Sequence, residues 1–205
     1  MRKIRIIANV TLDGVTQGPG GPDEDRDGNF EHGGWAMPFY DAAMAEAIAA
    51  AQGERFDLLM ARRTYDVFAG FWPTVEDDPI ADGLNAARKY VATHRPESLE
   101  WGPVEDLGTD VVASIRRIKA GNGPNLIVWG GSTLTPVLFE HGLADEVLLL
   151  VYPVWLGSGK RFFPNTALPR ELALVESKPT PSGVLMNTYR LVGALRAGSP
   201  AEPPV

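Results

Sequence analysis

Residues 126–133 read Leu-Ile-Val-Trp-Gly-Gly-Ser-Thr and carry the strongest local signal in the chain. The four apolar residues predict a short buried strand, and the two glycines predict the turn that ends it. The serine is a typical helix N-cap, so a helix is expected to follow as far as His141. Such a turn aims backbone N–H groups at one point and lets a phosphate approach closely. The stretch is therefore either a phosphate-binding turn or a plain strand-to-helix turn capped by Ser132.

Strand and helix patterns alternate on both sides of this turn. Further strands are predicted at 4–10, 56–60, 89–93 and 146–152, and further helices at 41–51, 62–68, 79–87 and 110–120. The chain then changes to a hairpin with strands at 172–177 and 185–192. Alternation favours parallel crossovers with helices on both faces of the sheet, and the hairpin adds antiparallel strands. We predict a single α/β domain over residues 1–193 with a mainly parallel central sheet and an antiparallel C-terminal hairpin, followed by a flexible tail at 194–205.

Composition excludes several classes of function. The chain has 205 residues, a formal net charge of -7 and no cysteine. Disulfides, thiolate nucleophiles and cysteine-ligated metals are therefore excluded, and an acidic balance argues against nucleic acid or an anionic membrane as partner. The sequence shows neither a secretory cleavage site nor an apolar run long enough to cross a bilayer, which predicts a cytoplasmic protein.

Two more strand ends carry groups that suit an anion. Arg62, Arg63 and Thr64 follow the second predicted strand, and Thr93-His94-Arg95 follow the third. Arginine forks match phosphate oxygens, and ligands of open α/β sheets bind beyond the carboxyl ends of the strands. The alternative is a solvated helix terminus, although cations are unfavourable at a helix N-terminus. We therefore predict that the three polar strand ends converge on one anion site.

Other motifs match known sites less well. Residues 23–28 begin like a calcium loop, but Gly34 stands where a bidentate glutamate belongs, so a solvated acidic loop is favoured. Residues 154–161 lack the first glycine and the Ser/Thr of a P-loop and predict a turn with a basic edge. The three histidines lie far apart in the sequence, so no metal site is predicted. The aromatic stretch 35–40 either lines an apolar pocket or leads into the first helix.

Five stretches together resemble the dihydrofolate reductase-like superfamily, and most of all the C-terminal reductase domain of the riboflavin-biosynthesis deaminase-reductase. They are Ala-Asn-Val-Thr-Leu-Asp-Gly at 8–14, Ala-Arg-Arg-Thr-Tyr at 61–65, Thr-His-Arg at 93–95, Gly-Gly-Ser at 130–132 and Pro-Val-Trp-Leu-Gly-Ser-Gly at 153–159. The resemblance extends from residue 4 to about 192. It implies a reductase that uses NADPH as its cofactor, with residues 16–34 as a lid.

The same resemblance assigns roles to residues of this chain. It implies that Ala8 and Asn9 line the nicotinamide pocket and that 93–95 lie near the adenosine 2′-phosphate. The remaining phosphates would be held by Arg62, Arg63, Thr64, Gly130, Gly131, Ser132, Thr133 and Leu134. Apart from the resemblance, our own interpretation of the aromatic stretch places Trp35, Phe39 and Tyr40 beside the substrate.

Two positions depart from the pattern of the superfamily. Ala61 replaces the glycine that usually precedes the arginine. Dihydrofolate reductases also carry an acidic residue on the first helix that holds the pterin, and here only Asp41 and Glu46 could take that place. Asp41 is either a proton source or simply the N-cap of that helix. The expected substrate is a small aminopyrimidine-like or pterin-like heterocycle or a carbonyl compound. The alternative function is a non-catalytic ligand-binding protein of the same fold. Separately, the C-terminal strands could pair with those of a second copy to form a homodimer.

Overall fold

The computed structural model describes residues 1–165 and 167–196. Strands alternate with helices along most of this length. The strands are β1 (Ile4–Thr11), β2 (Phe56–Ala61), β3 (Lys89–Ala92), β4 (Val104–Asp106), β5 (Asn125–Trp129), β6 (Glu146–Tyr152), β7 (Arg170–Pro179) and β8 (Leu185–Ala194). The helices are α1 (Ala42–Gln52), α2 (Arg62–Phe71), α3 (Pro79–Ala86), α4 (Val111–Ala120) and α5 (Leu134–Glu140).

All eight strands join one sheet in the order β4-β3-β2-β5-β1-β6-β8-β7. The pairs from β4 to β6 are parallel, and β8 pairs antiparallel with both β6 and β7. The predicted α/β architecture with a C-terminal hairpin is therefore confirmed. Strand β7 forms one edge of the sheet, and the homodimer expected through this region stays a prediction.

Each face of the sheet is covered by its own hydrophobic core. Alternating side chains of β1 go to opposite faces, so that Ile7 belongs to one core while Ile6 belongs to the other. Helices α1, α2 and α3 pack on the face of Ile7, and α4 and α5 pack on the face of Ile6. This arrangement leaves the carboxyl ends of β1, β2 and β5 side by side at one rim, where ligands of such sheets bind.

Three details of the sequence-based prediction are wrong or incomplete. Strand β4 was not predicted, because its three residues are all only half-buried and show no apolar run. Helix α2 continues to Phe71, three residues beyond the predicted end at Phe68. Thr133, not Ser132, is the N-cap of α5, and it makes no side-chain capping bond within the described residues.

Residues 16–34 form a long loop that contains one short 3₁₀ turn, Asp27–Asn29. The tail predicted at 194–205 falls, from residue 197 onward, outside the described residues. Among the helices that the structure describes, none has both the length and the apolar character needed to cross a bilayer.

Candidate functional site

A cavity of about 130 Å³ opens at the rim where β1, β2 and β5 end. Its wall combines strand ends, the loop after β1, the start of α2 and the turn after β5. The lining residues are Ile7, Asn9, Thr16, Gln17, Gly18, Pro19, Glu24, Asp25, Ala61, Arg63, Thr64, Val67, Phe68, Trp129, Gly130, Gly131, Ser132, Thr133 and Lys160. One side of the site is therefore apolar and aromatic, while the other is polar and charged.

The turn after β5 forms one wall, as the sequence predicted. Gly130 and Gly131 have φ angles of +48° and +99°, which residues with a Cβ rarely adopt. The Gly130 N–H donates to the Ile7 carbonyl at 2.7 Å, which fixes the turn to β1. A Cβ placed on Gly131 would lie 3.9 Å from the Thr64 hydroxyl, so the turn faces the start of α2 closely. Leu134, the first residue of α5, is instead buried in the core that α4 and α5 cover and does not belong to the described cavity lining.

Two cations line the opposite side of the cavity. Arg63 lies in the first turn of α2, where the helix dipole disfavours it, and Lys160 comes from the loop after β6. Both side chains contact carboxylates of the loop 16–34: Arg63 pairs with Asp25 and Asp27, and Lys160 Nζ lies 2.6 Å from Asp25 and 2.8 Å from Asp27. The carboxylates that the sequence compared with a calcium loop are therefore paired with cations of the cavity.

Lys160 was not predicted as a site residue. Residues 154–161 were compared as a whole with a P-loop, which they do not match. A usable signal was present, because Lys160 follows the parallel strand β6, whose carboxyl end lies at the same rim as those of β1 and β5.

Arg62 serves a different purpose from Arg63. Its guanidinium donates to the Arg95 carbonyl at 2.9 Å and to the Ser98 hydroxyl at 2.8 Å, and its Nε lies 2.7 Å from Asp66. It thereby connects the start of α2 to the loop after β3. The segment Thr93-His94-Arg95 lies beside Arg62, with His94 and Arg95 exposed. Only part of the predicted convergence of the three strand ends is found. Arg63, Thr64 and the Gly-Gly turn line the cavity, whereas Arg62 and residues 93–95 form a neighbouring surface.

Asn9, which lines the cavity, is hydrogen-bonded to a buried tyrosine. The Tyr152 hydroxyl donates to Asn9 Oδ1 at 2.9 Å and lies 3.3 Å from the Met44 sulfur. Burial raises the pKa of Tyr152 well above its usual value, so it stays protonated and remains the donor. Because the Asn9 oxygen accepts this bond, the amide nitrogen of Asn9 remains as its hydrogen-bond donor. The Ala8 side chain is 1% exposed and belongs to the core on the other face of the sheet.

The three aromatic residues expected beside the substrate do not belong to the described cavity lining. Trp35 is buried, and its indole N–H donates to the Gln17 carbonyl at 2.7 Å. Trp35 and Phe39 both pack edge-on against Tyr152, with ring centroids 5.1 and 5.8 Å away, and Tyr40 is 51% exposed. Their packing agrees with the alternative interpretation of an apolar segment leading into α1.

Asp41 is the N-cap of α1. Its Oδ1 accepts the Met44 N–H at 2.9 Å, and its Oδ2 accepts the Ser182 N–H at 3.1 Å. The bond from Met44 is the main reason why the pKa of Asp41 is lowered, so this carboxylate is ionised at neutral pH and is a poor proton source. Glu24 does line the cavity, and burial raises its pKa although the Gly20 N–H donates to it.

The chain is similar to several known proteins in sequence or in fold. A Bacillus subtilis protein described as uncharacterized, YyaP, is 23% identical over 196 residues, which cover 94% of this chain and 96% of the relative. A pyrimidine reductase-like protein from Corynebacterium diphtheriae has the same fold, with a TM-score of 0.64 and 13% identity over 93% of this chain and 92% of its own. A dihydrofolate reductase from Enterococcus faecalis, complexed with NADP(H) and RAB-propyl, gives a TM-score of 0.57 and 15% identity over 92% of this chain and 96% of its own. The sequence model of the RibD C-terminal domain matches residues 2–186, and the chain therefore belongs to the RibD C-terminal domain family, within the dihydrofolate reductase-like fold.

Proposed function

We propose that this protein is an NADPH-dependent reductase that transfers a hydride to a small aminopyrimidine-like or pterin-like heterocycle or to a carbonyl compound. The observation that carries the proposal is the cavity itself. A glycine turn, a threonine hydroxyl and two cations face one another across it, next to an apolar side made by Ile7, Phe68 and Trp129. This combination suits a dinucleotide, because its phosphates are anionic and the flat faces of its nicotinamide ring can pack against apolar and aromatic side chains.

The residues present fit such a cofactor. Gly130 and Gly131 line the cavity with positive φ angles, which favour glycine, and without a Cβ they leave room for a phosphate to approach the backbone. Arg63 and Lys160 supply positive charge, and Thr64, Ser132 and Thr133 supply hydroxyl groups in the same cavity. When bound, the cofactor supplies the hydride. The protein's part is to hold the phosphates between these groups, to orient the reacting ring near Asn9 and to exclude water from the cavity.

The preference for NADPH over NADH is part of the proposal. Arg95 is exposed on the surface next to the cavity, and Arg62 holds the loop that carries it. An additional phosphate on the adenosine would find positive charge there. Fluorescence titration with both cofactors tests this point, and equal affinity for the two would remove it.

Turnover is tested by following the loss of NADPH absorbance with a panel of aminopyrimidines, pterins and carbonyl compounds. Depletion of NADPH that requires both enzyme and one of these classes supports the reductase. A matched sample of the variant Arg63→Gln should lose most of the rate at low NADPH, because a charge-assisted contact to the phosphates is removed.

A second candidate function is a protein that binds the nucleotide without turning it over. The observation in its favour is Asp41, whose two oxygens are both engaged by backbone N–H groups and whose pKa is lowered, with the Met44 bond as the largest cause. Saturable binding of NADPH without consumption for any member of the panel would favour this candidate.

A further inference from the structure

The loop 16–34 places two carboxylates on the two cations of the cavity. Arg63 contacts Asp25 and Asp27, the latter at 2.5 Å, and Lys160 contacts the same two residues at 2.6 and 2.8 Å. The pairing is therefore reciprocal: each cation meets both carboxylates. Four close contacts of this kind make a compact cluster that joins the loop to α2 and to the segment after β6.

The rest of the loop is built to hold the carboxylates at this point. Gln17 is 4% exposed, and its amide nitrogen donates to the Asp25 carbonyl at 3.1 Å and to the Asp27 carbonyl at 2.9 Å. Its amide oxygen accepts the Lys160 N–H at 2.9 Å. One buried side chain thus fixes the backbones of both acidic residues and of Lys160 relative to one another. A solvated loop would not need such a buried support.

The charges in the cluster keep the acids ionised. Burial on its own would raise the pKa of Asp25, but hydrogen bonds from Lys160 and the Asp27 backbone and the charges of Lys160 and Arg63 lower it overall. The hydrogen bond from Lys160 is the main reason why the pKa of Asp27 is lowered. At neutral pH two carboxylates therefore neutralise two cations of the cavity, which is the charge that a phosphate group would otherwise neutralise.

We propose that Asp25 and Asp27 form an internal clasp that occupies the phosphate site, and that a phosphate or pyrophosphate group of the ligand displaces them from Arg63 and Lys160. The clasp couples the opening of the loop 16–34 to the arrival of an anion. It also lowers the affinity for any phosphate-bearing ligand, because the ligand must first break the four internal contacts. The identity of that ligand as NADPH rests on the proposed function, whereas the displacement itself requires only an anion.

The test compares the variant Asp25→Asn/Asp27→Asn with the wild-type protein. Asparagine keeps the size of each side chain but removes its charge, so the cations are released for the ligand. A matched control, Asp23→Asn/Glu31→Gln, removes two charges from the same loop at exposed positions, where Asp23 contacts only Arg26 among the described ion pairs. Binding of inorganic pyrophosphate is measured by calorimetry, and binding of NADPH by fluorescence titration, at the same ionic strength.

We expect the clasp variant to bind both anions about tenfold more tightly than the wild-type protein, a factor that four ion pairs of modest strength can supply together. The control variant should show much less gain. If the clasp variant gains affinity for pyrophosphate while neither protein binds NADPH, the clasp stands and the proposed cofactor is wrong. Affinity for both anions that is unchanged or weaker in the clasp variant, or an equal gain in the control, would overturn the clasp.

Correct folding of the variants is checked by thermal unfolding. Should the double variant fail to fold, the single variant Asp27→Asn takes its place, since the Asp27 side chain is 53% exposed and its change leaves Asp25 on both cations. The expected gain in pyrophosphate affinity is then about threefold. No gain in a folded Asp27→Asn protein would contradict the clasp equally.

Discussion

Lys89 is a buried cation whose environment predicts a measurable pH dependence of stability. It is 0% exposed, and its Nζ donates to the Asn85 carbonyl at 2.6 Å and to the Gly102 carbonyl at 3.2 Å. The same atom lies 4.1 Å from the centre of the Trp101 ring. Within the described residues no carboxylate forms an ion pair with it. Burial accordingly lowers the pKa of Lys89 to about 8.

The sign of the effect follows from where the proton is bound. Below pH 8 the amine is charged in both the folded and the unfolded protein, and the folded protein bears the cost of burying that charge. Between about pH 8 and 10.4 the folded protein has released the proton while the unfolded chain retains it, so the free energy of unfolding rises with pH. One pKa unit corresponds to about 1.4 kcal/mol, and the part of the shift that lies between about pH 7.5 and about pH 9.5 contributes about 2 kcal/mol.

The assay is urea unfolding of the wild-type protein and of Lys89→Met at these two pH values. The variant removes the titrating group, so other groups that titrate in the same range cancel in the comparison. We expect the wild-type protein to gain about 2 kcal/mol relative to the variant on going to the higher pH. A constant difference between the two proteins would refute the reasoning. It would show that the two carbonyls and the Trp101 ring hold the charged form as well as water does.

Three further predictions concern the cavity. Arg63→Gln should weaken NADPH binding about tenfold, because a charge-assisted contact to the phosphates is lost and the release of the loop offsets only part of that loss. The control Lys178→Gln, which changes an exposed lysine of β7, should leave NADPH binding unchanged, and calorimetry measures both variants. Gly131→Ala should lower NADPH affinity at least about tenfold because its φ of +99° must change, while Gly142→Ala, with a φ of +61° but outside the described cavity lining, should affect stability and leave affinity unchanged in the same titration. Tyr152→Phe should cost about 1 to 3 kcal/mol of stability in urea unfolding, because the Asn9 oxygen loses its hydrogen-bond donor, and unchanged unfolding would contradict the hydrogen bond between Tyr152 and Asn9.

Local patterns predicted the fold and part of the site. The Gly-Gly turn and the Arg63-Thr64 pair were found because each follows a buried strand, and parallel strands bring their carboxyl ends to one rim. Asp41 could not be resolved from the sequence, because an N-cap and a catalytic acid at a helix start require the same residue type.

The contacts of the loop were beyond prediction for a different reason. Lys160 and Asp25 are 135 positions apart, and Arg63 and Asp25 are 38 apart. No periodicity or spacing rule connects residues at such separations, and only the folded sheet brings them together. The acidic stretch therefore looked like a solvated surface in the sequence, whereas in the structure it neutralises the cations of the cavity.

The central claim is that Arg63, Lys160 and the Gly-Gly turn hold the phosphates of NADPH. Calorimetric titration of NADPH and NADH into the wild-type protein and into Arg63→Gln/Lys160→Gln tests it most directly. The account predicts one saturable site in the wild-type protein, tighter for NADPH than for NADH, and loss of that site in the double variant when it is correctly folded. Absence of saturable NADPH binding to the wild-type protein, or undiminished binding to the double variant, would contradict it.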